Sequence, residues 1–129
     1  MRFLLLLVCC GVLCGCGSSN SVCTYDLTYT ASPATATKSH LSAAPDNQQQ
    51  FTAQVIATPP TGCTAKGYTA RAYAVWTSTD PTNISISNAA DATNGLATCT
   101  GATSGPVTLT ATTGPSADAV TATTQLTCQ

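Results

Sequence analysis

The sequence predicts an all-β protein, an antiparallel β-sandwich of about seven strands that follows an N-terminal signal peptide. Short stretches of alternating apolar and polar residues recur at hairpin spacing, no stretch of the exported chain has helical periodicity, and 25 threonines favour extended strands. The clearest alternation covers residues 68–80 and includes the only tryptophan, Trp76. Because its neighbours on the same face are alanines, we expect Trp76 to fill the space between two sheets at the centre of the core.

The N-terminus has the features of an export signal. Arg2 is followed by an apolar run over residues 3–13. The run is long enough for the hydrophobic region of a signal peptide and too short to cross a bilayer as a helix. We therefore predict that the chain is exported.

The end of this run resembles the lipobox of bacterial lipoproteins. Residues 13–16 read Leu-Cys-Gly-Cys, with leucine at the third place before the cut, a small residue just before it, and then a cysteine. The resemblance implies that residues 1–15 are a lipoprotein signal peptide and that Cys16 becomes an acylated N-terminus that anchors the chain. Residues 16–22 would then be a lipidated tether, and residues 23–129 the folded domain. The alternative is an ordinary secretory signal and a freely secreted chain.

Two long strands and an edge segment are predicted before the Trp76 strand. Residues 23–30 form the first strand, which ends at Ser32-Pro33, and residues 34–41 continue as an offset edge segment. Residues 48–58 form the second strand, with Phe51 facing inward. One face of the first strand comprises Cys23, Tyr25, Leu27 and Tyr29.

Four further strands are predicted in the second half of the chain. They cover residues 83–87, 96–100, 107–111 and 120–128, and turn sequences rich in glycine, proline, asparagine and aspartate separate them. The largest apolar side chains on the inward faces are the predicted core residues, namely Trp76, Phe51, Val107 and Leu109.

Four cysteines follow the lipobox, and in an exported chain they predict two disulfides. If the strands alternate in direction, the start of the first strand lies beside the end of the second, which pairs Cys23 with Cys63. The ends of the fifth and seventh strands share the opposite pole, which pairs Cys99 with Cys128. Each bridge closes a loop of about 30 to 40 residues, worth about 3 to 4 kcal/mol. Zinc would need closer cysteine spacing or more histidine than His40, so no metal site is predicted.

Charge and catalytic residues argue against two classes of function. The exported chain has three Lys or Arg and five Asp, a net charge of 3 − 5 = −2, which leaves no basic surface for nucleic acid. His40 is the only candidate base and no carboxylate is placed to orient it, so no enzymatic activity and no cofactor are predicted. Asp91 stands between Asn88 and Asn94, but the loop lacks the dense aspartates of a calcium site, and we interpret it as a turn.

Five segments together resemble a known family. They occur in the family's order over roughly residues 30–128, and they read QQQFTAQV (48–55), AVWTSTDP (74–81), ISIS (84–87), GLATCTG (95–101) and PVTLTATTG (106–114). They resemble bacterial immunoglobulin-like domains of group 2, the invasin and intimin type. The resemblance implies an immunoglobulin-like sandwich without chemistry of its own, used as a spacer, an adhesive module or a carbohydrate-contacting module. The four cysteines and the loop over residues 59–67 depart from the family's pattern.

These observations predict a non-enzymatic, membrane-anchored immunoglobulin-like module with a structural or adhesive role at the cell surface or in the periplasm. Gly17, not aspartate, follows Cys16, and by resemblance to proteobacterial lipoproteins this implies an outer-membrane anchor. The alternative function is a carbohydrate-binding module, because Tyr68, Tyr73 and Arg71 lie at or near the outward side of one strand. A protein or glycan at the cell surface is therefore the expected partner.

Overall fold

The computed structural model describes residues 23–114 and 119–129. Within these residues the chain contains ten β-strands and no helix. In chain order the strands are β1 (Asp26–Ser32), β2 (Thr35–Lys38), β3 (Gln48–Gln50), β4 (Thr52–Thr58), β5 (Tyr68–Ala72), β6 (Val75–Ser78), β7 (Ile84–Ile86), β8 (Leu96–Cys99), β9 (Val107–Thr113) and β10 (Val120–Cys128). The predicted signal peptide, the tether and the lipidated Cys16 lie outside the described residues.

The strands form three sheets in a sandwich-like arrangement. One sheet has the order β2-β10-β9-β6, and the two smaller sheets have the orders β1-β4-β5 and β3-β8-β7. The predicted all-β sandwich is confirmed. Among the described strands, the pairs are antiparallel, as predicted, except β2 with β10, which is parallel. The break at Ser32-Pro33 moves the chain from one sheet to another without a hairpin, and this places β2 beside β10.

Ten strands replace the seven predicted because two long strands are divided between sheets and the edge segment over residues 34–41 contributes β2. The predicted strand over residues 48–58 is divided at Phe51 into β3 and β4, and the strand over residues 68–80 is divided at Tyr73 and Ala74 into β5 and β6. Each half pairs in a different sheet. Strands that change sheets in this way form the corners of sandwiches. The inward face continues across each division, since Phe51, Ala74 and Trp76 are all buried.

The core lies around Trp76 and draws residues from all three sheets. The ring centroids of Trp76 and Phe51 are 6.3 Å apart. All four predicted core residues are buried, the other two being Val107 and Leu109 on β9. Half of the eight remaining positions of the core cluster are alanines, namely Ala53, Ala74, Ala97 and Ala111. Leu27 lies outside this core, on the edge strand β1, with 51% of its surface exposed.

Both predicted disulfides are present. Cys23–Cys63 joins the segment before β1 to the loop after β4, as the antiparallel pairing of β1 with β4 requires. Cys99–Cys128 joins β8 to β10, which belong to different sheets, and both of its cysteines are buried. Disulfides persist in oxidising compartments, so the bridges indicate a non-reducing environment such as an exported protein encounters.

Among the described residues, no helix has the length and apolar character needed to cross a membrane.

Candidate functional site

The best-organised polar group in the domain is the side chain of Asn94, in the loop between β7 and β8. Asn94 is only 3% exposed. Its Oδ1 accepts hydrogen bonds from the Ala74 N–H (3.2 Å) and from the Trp76 indole Nε1–H (3.1 Å), and its Nδ2 donates to the Ala74 carbonyl (3.0 Å). Buried polar groups must be paired in this way to avoid a large desolvation cost. Asn94 therefore fixes both the core tryptophan and the start of β6.

The backbone of the Asn94 loop is bound by two side chains, those of Gln50 and Arg71. The Asn94 carbonyl accepts hydrogen bonds from Gln50 Nε2 (2.7 Å) and from the Arg71 guanidinium (3.0 Å). Gly95 follows with φ +84°, a left-handed conformation that glycine adopts without strain. A Cβ at this position would clash with the Phe51 carbonyl oxygen. Asn94 is thus required for its hydrogen bonds, and Gly95 because no larger residue fits at its position.

Asn88 forms a similar pair of hydrogen bonds with the backbone of Trp76, two residues after Ala74. Its Oδ1 accepts from the Trp76 backbone N–H (2.6 Å) and its Nδ2 donates to the Trp76 carbonyl (3.1 Å). Unlike Asn94, Asn88 is exposed. Each asparagine amide presents one acceptor and one donor to the strand, as a neighbouring peptide group would. Together the two side chains cover part of the outer edge of β6.

Two of the three predicted ligand-binding residues lie together. The Arg71 guanidinium carbon is 5.7 Å from the centre of the Tyr73 ring, and the same guanidinium donates to the Ala92 carbonyl (3.2 Å) as well as to that of Asn94. Arg71 is therefore held in place from the loop side. Tyr73 is 59% exposed, and its ring stands over a fixed cation.

A cleft of about 270 Å³ opens beside Tyr73. Its lining includes the exposed Val75 and the amides of Asn88 and Asn94. It also includes Thr113, whose hydroxyl is buried and has no hydrogen-bond partner among the described residues. The cleft therefore combines an exposed aromatic ring with neutral hydrogen-bonding groups, a composition suited to a neutral polar ligand.

Tyr68, the third predicted ligand-binding residue, lies elsewhere. Five residues of extended chain separate it from Tyr73, which corresponds to about 16 Å. Its ring packs edge-on against Tyr25 at a centroid distance of 6.0 Å, and the Tyr25 hydroxyl donates to the Lys66 carbonyl. Tyr68 therefore contacts a different part of the domain from Arg71 and Tyr73. Tyr68 belongs to the pole of the domain that carries the Cys23–Cys63 bridge.

The residues considered above for catalysis or metal binding, His40 and Asp91, have hydrogen-bond partners within the domain. The Asp91 carboxylate accepts from the hydroxyl and the backbone N–H of Thr93, and these bonds, with a smaller effect of Arg71, hold the pKa of Asp91 below its usual value. His40 Nδ1 lies 2.7 Å from the Gln129 carbonyl oxygen. Within residues 23–114 and 119–129, no three His, Cys, Asp or Glu side chains gather where they could hold a metal ion.

Comparison of the chain with protein-family models, with curated proteins and with solved structures gives no match. The site is therefore characterised by its own geometry.

Sequence reasoning missed the roles of Asn88 and Asn94. Both lie in the segment NAADATNG over residues 88–95, which has the composition of an ordinary turn. The only available signal was the Asn94-Gly95 pair, and that dipeptide is common in turns whose asparagine is solvated. Nothing in the pattern indicated that the two amides pair with a strand that lies 12 and 20 residues earlier.

Proposed function

We propose that the chain is a non-enzymatic, membrane-anchored immunoglobulin-like module that acts by binding at the cell surface or in the periplasm. The observation that carries the proposal is the pair of intramolecular disulfides that closes a domain with an alanine-rich core. Small domains with limited cores rely on such bridges in oxidising compartments. The lipobox resemblance at residues 13–16 supplies the anchor in this proposal.

The strand pairing supports the immunoglobulin-like part of the proposal. In immunoglobulin domains, strands C, F and G form one sheet and strands A, B, E and D form the other. If β3 with β4 is B and β5 with β6 is C, the observed neighbours β6-β9-β10 correspond to C-F-G. The observed neighbours β3-β8-β7 correspond to B-E-D and β1-β4 to A-B, whereas the pairing of β4 with β5 joins B to C and departs from this pattern. The disulfides lie elsewhere than the B–F bridge of antibody domains.

The N-terminal bridge supports the anchoring part of the proposal. Cys23 is seven residues after Cys16, and its disulfide to Cys63 fixes it to the loop after β4. A chain anchored at Cys16 would therefore be linked covalently to the folded domain at Cys23, the first residue that the structure describes. A tether of about seven residues reaches at most about 25 Å, so the domain would stay close to the membrane surface.

The anchor is tested by the intact mass of the chain extracted from membranes. We expect a chain that begins at Cys16, carries added acyl mass and gains about 4 Da on reduction of two disulfides. Cys16→Ser should abolish acylation and release the chain from the membrane fraction, whereas the control Cys14→Ser, within the signal peptide, should leave acylation unchanged. An unacylated chain, or acylation that persists in Cys16→Ser, would contradict the anchor. Four free thiols would contradict the oxidising compartment.

A second candidate function, carbohydrate binding, is favoured by the cleft beside Tyr73. The exposed ring, which stacks with a fixed guanidinium, supplies a platform for a sugar face, and the amides of the lining supply neutral hydrogen-bonding groups. Glycan-array binding tests this candidate. Tyr73→Ala should remove binding, and Arg71→Lys should weaken it because lysine cannot donate to both loop carbonyls in the same way. Tyr68→Ala, at the other pole, is the matched control. Binding that survives Tyr73→Ala would exclude the candidate.

A further inference from the structure

The outer edge of β6, together with Ala74 just before it, has three positions whose backbone groups face outward, and only two of them are covered. The Thr79 N–H donates to the Thr108 carbonyl, which fixes the alternation of the β6–β9 ladder and turns residues 74, 76 and 78 away from β9. Asn94 pairs with the backbone of Ala74, and Asn88 pairs with that of Trp76. Among the described residues, the backbone N–H and C=O of Ser78 have no hydrogen-bond partner. The edge is therefore open at Ser78.

A cleft of about 330 Å³ lies along this open part of the edge, between β6 and β7. Trp76 and Ile84, both buried in the core, form part of its wall. On the β7 side, Thr100 N–H donates to the Asn83 carbonyl, so the ladder with β8 uses alternate residues and turns the backbone of Ile86 outward. No charged side chain lines the cleft.

We propose that the outer edge of β6 is a binding site for an extended, uncharged peptide segment of a partner protein, which pairs with Ser78 and displaces Asn88 from Trp76. The exposed groups are backbone donors and acceptors in strand geometry, and a peptide in extended conformation is the ligand that matches them. Apolar or small side chains on that segment fit a cleft whose lining combines apolar residues with uncharged polar ones. The inference names a partner for the binding role proposed above and rests on that role.

Asn88 and Asn94 have different parts in this site. Asn94 is buried and also holds the Trp76 indole, so it stays in place and limits pairing at Ala74. Asn88 is exposed and contributes only its two hydrogen bonds to the Trp76 backbone. A partner strand replaces those two bonds with two of the same kind. Asn88 therefore covers the edge when no partner is bound, which protects it from unspecific pairing.

The test uses the mature chain in detergent and a blocked synthetic peptide, VTLTATT, which copies β9, the strand that already pairs with the inner edge of β6. Binding is followed by the fluorescence of the only tryptophan, Trp76, and by the hydrogen exchange of the Ser78 amide. We expect saturable binding with at least tenfold slower exchange at Ser78. Asn88→Ala should tighten binding about tenfold, since the peptide no longer competes for the Trp76 backbone. The same peptide N-methylated at alternate residues is the control and should not bind.

Ser78→Pro provides the second variant. It removes an N–H that takes no part in the β6–β9 ladder, together with the hydroxyl that accepts from the Asp80 N–H (3.1 Å) in the turn after β6. The ladder itself is unchanged, so the fold should be kept while peptide binding falls at least tenfold. Binding without protection of the Ser78 amide, or binding unaffected by both substitutions, would overturn the proposal. Self-association of Asn88→Ala with protection of Ser78 and no response to peptide would also overturn it, because the occupant would then be a second copy. Loss of the anchor would leave all these results unchanged, so the two proposals fail independently.

Discussion

Replacing Asn94 by alanine tests whether one buried amide organises the centre of this domain. The substitution removes three hydrogen bonds and leaves the Ala74 N–H, the Ala74 carbonyl and the Trp76 indole N–H without partners. Each unpaired buried group costs about 1 to 3 kcal/mol. Because the cleft beside Tyr73 admits water to this region, we place the total near the lower end of the sum, at about 3 to 5 kcal/mol. That is a large part of the roughly 5 to 15 kcal/mol that stabilises a typical domain.

Equilibrium unfolding in urea measures this effect. With a slope of about 1.5 kcal/mol per molar urea, Asn94→Ala should lower the midpoint by about 2 M or more. Far-ultraviolet circular dichroism is the preferred signal, because the substitution changes the surroundings of Trp76 directly. The matched control is Asn88→Ala, which also removes two hydrogen bonds to β6 but at an exposed position where water replaces them, so it should cost less than about 1 kcal/mol. Equal losses for the two variants, or a change within about 0.5 kcal/mol for Asn94→Ala, would refute the reasoning.

Three further variants test other interactions that stabilise the domain. Removal of the buried bridge by Cys99→Ser with Cys128→Ser should lower the free energy of unfolding by about 3 to 4 kcal/mol, measured by thermal unfolding with and without reductant. Gly95→Ala should destabilise the domain by about 3 kcal/mol or prevent folding, because φ is positive and the Cβ meets a backbone oxygen; calorimetry measures the loss. The lowered pKa of Asp91 adds stability that is complete above about pH 3.9, the usual value, and is lost as the pH falls through the lower folded-state value. Unfolding curves of Asp91→Asn should lack this loss at acid pH.

The sequence predicted the features that depend on one strand and its immediate alternation. Burial of Trp76 and Phe51, the identity of β7 to β10 and both disulfide pairings follow from which residues share a face and from strands that reverse direction. The division at Phe51 was not visible, because a strand that passes from one sheet to another keeps its inward and outward faces. Alternation reports which face is buried and carries no information about which neighbour the backbone pairs with.

The candidate site was less predictable because it, too, depends on which segments become neighbours, and alternation does not show this. Exposed aromatic and charged residues could be recognised on β5, but their grouping depended on where the chain leaves the strand. Tyr73 lies beyond the end of β5 and turns toward the loop that holds Arg71, while Tyr68 stays at the opposite end. The asparagines that cover β6 act through side chains that reach a strand distant in the sequence. Such contacts become visible only when the sheets are assembled.

Because the core is small, the stability of the domain depends strongly on its disulfides and on its buried hydrogen bonds. Alanines occupy many core positions, and each buries little apolar area compared with leucine or isoleucine, at about 25 cal/mol per Å². A core with one tryptophan and one phenylalanine therefore leaves a narrow margin over conformational entropy. The Cys99–Cys128 bridge ties two sheets at the end of β8, and Asn94 ties the edge of β6 to the loop that precedes β8. Cys99 lies at the end of β8 and Asn94 in the loop that leads into β8, so the two links hold this strand near both of its ends.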